Sequence, residues 1–366
     1  LAAWSAECGH DVIIADIDKV AVDAINNRTT SYSEPGVNEL LCKHGLRATT
    51  DISSAVSQSE VVYVIVPTPS TIYGTFWISY ILDAFEAMKD GLETIRLVVI
   101  VSTVNPGDTM TLSQALNKIA GRDIPIVYSP EFVAQGSIIK DFANPDVLLI
   151  GADDKRTARL ALKAYEGVVN PGSLHVLSTV SAEIAKIGLN AALVTKTAIA
   201  GQLMWLCHNI PGADARDVLG SIGADSRIGS KFFAPGLRPG GPCLPRDNRA
   251  LSAACGAAGS PHDLAIGTIR FCEDQDDMLY QIVLDNAGER LLIVGLSYKP
   301  GVPIAEESAA QVLFNKLRGD NHRAYDELLA PGDLDQLIEW ADTVLIATRQ
   351  APEMDLSGKI VIDCWG

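Results

Sequence analysis

The 366-residue sequence predicts an α/β protein made of two Rossmann-like domains joined by a helical central domain with a long helix. Three observations predict it. Short, wholly apolar runs alternate with helix-forming stretches between Asp11 and Ile150, a proline-free and mostly apolar stretch fills 181–208, and a second pair of apolar runs appears at 291–295 and 341–348. Parallel strands covered by helices on both faces read as continuous apolar runs, so the alternation marks a doubly wound sheet.

Residues 1–9 read as the end of a helix and 11–15 as a strand closing on Asp16-Ile17-Asp18. In a dinucleotide-binding βαβ unit, an acid at the end of the second strand holds the adenosine ribose, about 20 residues after a glycine-rich loop. Counting back from Asp16 puts that loop before Leu1, and no Gly-x-Gly-x-x-Gly occurs in the chain. Either the phosphate loop is absent or the first strand and its glycine turn precede Leu1. The second is favoured, because a first helix and second strand have no stable place in a parallel sheet without the central strand beside them.

Residues 20–44 are expected to be helical around Glu34-Pro35-Gly36-Val37-Asn38-Glu39-Leu40-Leu41. Strands are expected at 60–66, ending in the rigid turn Pro67-Thr68-Pro69, and at 97–102, 124–128 and 147–150. At ~1.5 Å per residue the 181–208 run makes a helix of about 40 Å. It contains Asn190, Lys196 and Gln202, and a central lysine is costly in lipid, so it reads as a buried helix rather than a membrane span. A small helical region is expected to about Phe271, before the second α/β unit. There, 317–324 barely leaves room for a helix end, a turn and a strand, which suggests missing residues. The expected domains are 1–175, 176–275 and 276–366.

Composition narrows the function. Hydrophobic residues are 48% and charged residues 20%, as in globular proteins. The net charge of −16 argues against a nucleic-acid partner, whose affinity rests on Lys and Arg neutralising phosphates. The seven cysteines lie far apart without CxxC pairs, so neither a disulfide framework nor a metal site is suggested, which fits a reducing cytoplasm. No signal peptide is visible at the start.

The densest local signal is Gly236-Leu237-Arg238-Pro239-Gly240-Gly241-Pro242-Cys243-Leu244-Pro245-Arg246-Asp247. Gly240 and Gly241 permit backbone angles and close approach that other residues forbid. Pro242 and Pro245 stiffen the turn around the thiol, and a helix start favours the thiolate. The loop is either a site of chemistry at Cys243 or a Gly/Pro turn that holds a buried cysteine. Earlier in the chain, Lys186 and Asn190 are four apart and so share one helix face. An ammonium beside an amide can stabilise an oxyanion or hold an ordered water; the plainer reading is an exposed lysine and a helix-interior asparagine.

The cysteine loop resembles the Gly-Phe-Gly-Gly-Ser-Cys-Phe-Pro-Lys-Asp segment of the UDP-glucose/GDP-mannose dehydrogenase family, with Pro239, Pro242 and Arg246 as departures. Further segments resemble the family in the same chain order: Glu34 to Leu41, Ser102-Thr103-Val104-Asn105-Pro106-Gly107, Ser129-Pro130-Glu131-Phe132, Ala182-Glu183 with Lys186 and Asn190, Arg227-Ile228-Gly229, and Gly295-Leu296-Ser297-Tyr298-Lys299-Pro300.

The resemblance implies an NAD-dependent four-electron oxidation of the C6 alcohol of a nucleotide sugar, with UDP-glucose the expected substrate. A first hydride leaves C6 and gives an aldehyde, Cys243 adds to it, the thiohemiacetal gives up a second hydride, and the thioester is hydrolysed. Asp247, or a water it shares with Lys186, is the candidate for proton transfer, and Glu131 and Thr103 would position the hydrolytic water. The plainer readings are a helix-end acid for Asp247, a helix N-terminal acid for Glu131 and a turn hydroxyl for Thr103. Asp16 would hold the ribose and, as an anion, disfavour the 2′-phosphate of NADP; Pro67, Thr68, Thr103 and Lys299 complete the expected cofactor side. Glu131, Phe132, Lys186, Asn190, Lys231, the backbone at Phe233, Gly240, Tyr298 and Lys299 are the expected substrate contacts. No metal is expected. The long helix is expected to form a homodimer.

Four positions depart from the family pattern: Ala21 for a Lys, Gln135 and Gln202 for a Glu, and Glu306 for an Arg. A reversed charge at Glu306 cannot make the same phosphate or subunit contact. Two rival readings remain. A two-electron β-hydroxyacid-type dehydrogenase needs no cysteine, so the Cys243 loop counts against it. A catalytically silent sugar-nucleotide-binding homologue is motivated by Glu306 and the absent glycine loop.

Overall fold

The computed structural model describes residues 1–30, 34–170 and 174–365. The chain divides into two compact units, Leu1–Ile187 and Gly188–Gly366.

In the first unit, α1 (Ala2–Glu7), β1 (Ile13–Ala15), α2 (Lys19–Asn26), α3 (Val37–His44) and β2 (Arg47–Thr49) come first, with β1 and β2 paired in parallel. The helical stretch expected over 20–44 is therefore two helices. Arg28 takes a φ of 64° just after α2, and Gly36, at 81°, caps α3. After α4 (Ile52–Ser57) comes a five-stranded sheet in the order β3 (Val61–Val64), β4 (Leu97–Ile100), β5 (Ile126–Tyr128), β6 (Leu148–Gly151), β7 (Leu174–Leu177). All its pairs are parallel except β5 with β6, which meet at an antiparallel bridge between Tyr128 and Gly151. The helices α5 (Ser79–Met88), α6 (Asp108–Ala120), α7 (Ile138–Ala143) and α8 (Lys155–Tyr165) connect these strands. Glu34 of the Glu-Pro-Gly motif accepts from the N–H groups of Gly136 and Ile138 at 2.8 Å each, so its carboxylate caps the entry to α7.

β4 shows why an apolar run becomes a central strand. Leu97 and Val99 belong to a core layer with Ala161 and Tyr165 of α8, whereas Val98 and Ile100 belong to the opposite layer with Phe85 of α5 and Leu116 of α6. All four β4 side chains are at most 1% exposed, and each such burial contributes on the order of 2 kcal/mol.

The helix α9 (Thr179–Asn209) has 31 residues, about 46 Å at ~1.5 Å per residue. It begins in the first unit and continues into the second. The second unit adds α10 (Ala215–Gly223), α11 (Leu244–Ala257) and α12 (Asp263–Asn286). Its parallel four-stranded sheet has the order β11 (Ile360–Asp363), β10 (Thr343–Ile346), β8 (Leu291–Val294), β9 (His322–Tyr325), with α13 (Ala309–Lys316) and α14 (Leu334–Trp340). Helical structure does not stop at Phe271: Leu279 and Val283 carry the apolar face of α12 onward against Leu291, Ile293 and Leu313, and residue 275 lies inside that helix. The short connection after α13 suffices, because the chain turns at Gly319 (φ 84°) and β9 starts at His322. A mainly parallel five-stranded sheet in the first unit and a parallel four-stranded sheet in the second, each with helices connecting its strands, are the α/β architecture the sequence predicts. Among the described residues no helix is long and apolar enough to cross a membrane.

Candidate active site

In the first unit, the site residues sit just after the sheet strands. The turn after β4 is tied to the turn after β3: Ser102 donates to the Val66 carbonyl at 2.7 Å, and the buried Thr68 hydroxyl donates to the Thr103 carbonyl at 2.7 Å. Pro67 lies exposed beside them. Asp16 follows β1, is exposed, and accepts from the Asp18 N–H at 2.9 Å. An exposed carboxylate past the end of a parallel strand has the acceptor chemistry that a ribose diol requires, so the residues present fit a dinucleotide.

After β5, Ser129 donates to Leu149 at 2.9 Å and fixes the Ser-Pro-Glu-Phe turn. Lys186, only 8% exposed, donates to the Glu131 carbonyl at 2.6 Å and lies 4.5 Å from the Phe132 ring centroid. A carbonyl and an aromatic face thus hold the ammonium. The Glu131 Oε1 atom is buried without a hydrogen-bond partner among the described residues. Burial pushes this carboxyl up, against the lowering effect of Lys186. One turn before Lys186, fully buried Glu183 accepts from Gly107 N at 2.5 Å and Thr109 N at 2.8 Å, joining α9 to the start of α6.

In the second unit, the cysteine loop becomes the start of α11, with the exposed Cys243 as its N-cap residue. Asp247 N–H donates to the Cys243 carbonyl at 2.9 Å, which places the acid one turn inside. Asp247 is 0% exposed; its Oδ2 accepts from Asn190 Nδ2 at 2.7 Å and its Oδ1 from Arg246 Nε at 3.3 Å. The glycine pair has a steric cause. A Cβ on Gly240 would lie 2.7 Å from the Glu307 carbonyl oxygen, and one on Gly241 (φ 82°) would lie 2.6 Å from the Tyr298 ring. Gly241 N–H also donates to the Glu306 carbonyl at 2.9 Å. Burial, and then the neighbouring Cys243, raise the Tyr298 phenol above its ordinary value.

Other expected contacts are placed less directly. The Phe233 ring is buried with Ala200 and Leu219, so only its backbone can meet a ligand, whereas the Phe232 ring is 51% exposed. Lys231 is exposed, and Arg227 is bound to Asp225 at 2.6 Å. Lys299 is half-buried, in a turn where its carbonyl accepts from Val302 N–H.

Two residues were not anticipated as site residues. Arg238 is buried, bonds Asp276 through Nε at 2.8 Å to each oxygen, and donates to the Glu307 carbonyl at 3.0 Å, anchoring the loop before the thiol. Lys196 donates to three backbone carbonyls of the 228–231 loop. The available signal was the charge itself: an arginine in a Gly/Pro loop and a lysine in an apolar helix both need partners if buried.

Comparison with known proteins identifies the family. The NAD-binding domain of the UDP-glucose/GDP-mannose dehydrogenase family matches residues 1–169, and the central domain of that family matches residues 180–271. The chain is 32% identical to the UDP-glucose 6-dehydrogenase of Haloferax volcanii, over 96% of this chain and 86% of the relative. It is 30% identical to a UDP-glucose 6-dehydrogenase of Bacillus subtilis, over 89% and 73%. It superposes on a UDP-glucose dehydrogenase from Pyrobaculum islandicum with a TM-score of 0.89 and 27% identity, covering 100% of this chain and 91% of the other. The chain therefore belongs to the UDP-glucose/GDP-mannose dehydrogenase family and is an NAD-dependent nucleotide-sugar dehydrogenase.

Proposed function

We propose that the chain oxidises the C6 alcohol of UDP-glucose to the carboxylate of UDP-glucuronate through a thioester on Cys243. The observation that carries this is the exposed thiol at the start of α11, on a glycine pair with no room for a side chain, one turn before a buried acid held by Asn190. NAD supplies the oxidising power, taking two electrons at each of two oxidations. Asp16, Pro67, Thr68, Thr103 and Lys299 are its proposed contacts.

Asp247 takes the alcohol proton in the first oxidation, directly or through water, while Lys186 and Asn190 stabilise the oxygen. The Cys243 sulfur then bonds the aldehyde carbon and the oxygen gains a proton. The second oxidation converts this thiohemiacetal to a thioester. Water, positioned by Glu131 and Thr103, cleaves the carbon–sulfur bond and returns the thiol. Lys231, Gly240, Tyr298, Lys299, Phe132 and the backbone at Phe233 are the proposed substrate contacts. The domain roles proposed are NAD binding for 1–175, catalysis for 176–275 and nucleotide binding for 276–366.

A cytoplasmic location suits seven cysteines that form no disulfide among the described residues. A homodimer through α9 is supported by exposed Ile199 and Leu206 and by a groove of ≈ 460 Å³ lined by Gln202, Trp205, Leu206, Phe271 and Met278. Nucleic acids and membranes are not proposed partners.

The test is NADH released per UDP-glucose consumed, with Cys243→Ser alongside. We expect two NADH in the parent and loss of carboxylate formation in the variant. One NADH, with the variant unaffected, would identify a two-electron dehydrogenase instead. Inactivity on UDP-glucose but turnover of GDP-mannose would move the substrate and leave the chemistry.

A further inference from the structure

Lys196 is a charged residue inside the mostly apolar second half of α9, and no role in the oxidation falls to it. Its ammonium donates to the carbonyls of Ile228 at 2.8 Å, Gly229 at 3.0 Å and Lys231 at 2.6 Å. An ammonium has three N–H donors, and here all three are used by one four-residue turn. Three carbonyls converging on one point repel each other unless a cation sits among them, so the turn holds this path because the lysine reaches it.

The backbone of the turn records what the lysine imposes. Gly229 has a φ of 72° and Phe232 a φ of 58°. A left-handed backbone suits glycine but is rare and strained for phenylalanine, so surrounding interactions must hold Phe232 there. Two anchors flank it: the Lys231 carbonyl on the Lys196 ammonium, and the Phe233 ring buried with Ala200 and Leu219. Between them the Phe232 ring stays 51% exposed and Lys231 is exposed. The side chains offered to a ligand are therefore aimed by a contact beneath the loop.

We propose that Lys196 is a positioning residue for nucleotide-sugar recognition: it locks the 228–232 turn into the strained path that presents Lys231 and Phe232. This rests on reading that loop as a nucleotide-sugar contact. The clamp itself can be tested without that reading, by hydrogen exchange of the peptide spanning 226–236 in the parent, Lys196→Met and Lys196→Arg. Faster exchange in the Met variant, with Arg close to the parent and α9 protection intact, is expected; unchanged exchange in the Met variant overturns the clamp.

UDP binding and steady-state kinetics then test the role. Lys196→Met should weaken UDP and raise KM for UDP-glucose by about tenfold to a hundredfold, as expected when a contact loop is displaced. KM for NAD should be unchanged, kcat should fall by no more than about threefold, and Arg should restore most of the loss. A loosened loop with unaltered UDP affinity overturns the positioning role while leaving the proposed activity standing. Equal rises in KM for NAD and UDP-glucose also overturn it. If the parent binds neither UDP nor UDP-glucose, the same comparison is made with GDP-mannose; a parent that binds neither nucleotide overturns both readings.

Discussion

Burial pushes the Glu131 carboxyl above the ordinary glutamate range, and the positive charge of Lys186 opposes this only in part. A carboxylate that positions the hydrolytic water by accepting its hydrogen bond must be ionised, so its useful form appears as the pH rises through this raised value. The hydrolytic rate should therefore show an acidic limb centred above that of an ordinary glutamate, seen by following kcat from about pH 5 to 8. Glu131→Gln should slow hydrolysis by at least about a hundredfold and abolish the limb. An unchanged limb in the Gln variant would remove Glu131 from the mechanism. At the same scale, what the sequence revealed depended on the kind of partner. Lys186 with Asn190 and Cys243 with Asp247 were legible because helix periodicity puts each pair on one face or one turn. Lys196 and Arg238 were not, because their partners are carbonyls and acids about 30 or more positions away, and nothing local in the chain records that distance.

Among the elements, central strands were the easiest to read and edges the hardest. The β4 run Leu97-Val98-Val99-Ile100 is buried on both faces and so is apolar throughout. β7 and β11 are largely exposed, and β2 is three residues long, so their composition carries little of that signal. The residue just after β9, Asp326, has a structural effect the sequence did not suggest. Asp326 accepts from Leu296 N at 2.8 Å, Ser297 N at 2.9 Å, and Leu328 and Leu329 N at 3.1 Å each, joining the turn after β8 to that after β9. Burial pushes this carboxyl up, but those four N–H bonds outweigh it and hold its pKa below the ordinary value. A depressed carboxyl contributes stability that is present above its unfolded pKa and lost as the pH falls through its folded one. Asp326→Asn should destabilise the protein at neutral pH by about 1–3 kcal/mol, with the gap narrowing below about pH 4. Denaturant melts at several pH values check this. A pH-independent gap would show that the carboxylate charge is not what matters.

Over the whole molecule, the two α/β sheets were legible from alternating apolar runs, and the family from motifs in one chain order. The extent of α12 was not: its apolar face continues past Phe271 without any proline or glycine break to Asn286, and only its packing against β8 and α13 shows where it belongs. The glycine pair was recognised as a conformational need, but its steric cause lies in Tyr298 and Glu307, which are more than 50 positions later. These levels meet in one claim, that the chain performs two successive oxidations, the second of them with its substrate covalently held on Cys243. The most direct test is intact-protein mass spectrometry of the Glu131→Gln variant, mixed with UDP-glucose and NAD and quenched in acid, with peptide mapping of the adduct. The account predicts a UDP-glucuronyl thioester that maps to Cys243, disappears with hydroxylamine and is absent when NAD is omitted. Carboxylate product formed with no adduct at Cys243, or an undiminished yield from Cys243→Ser, would contradict it.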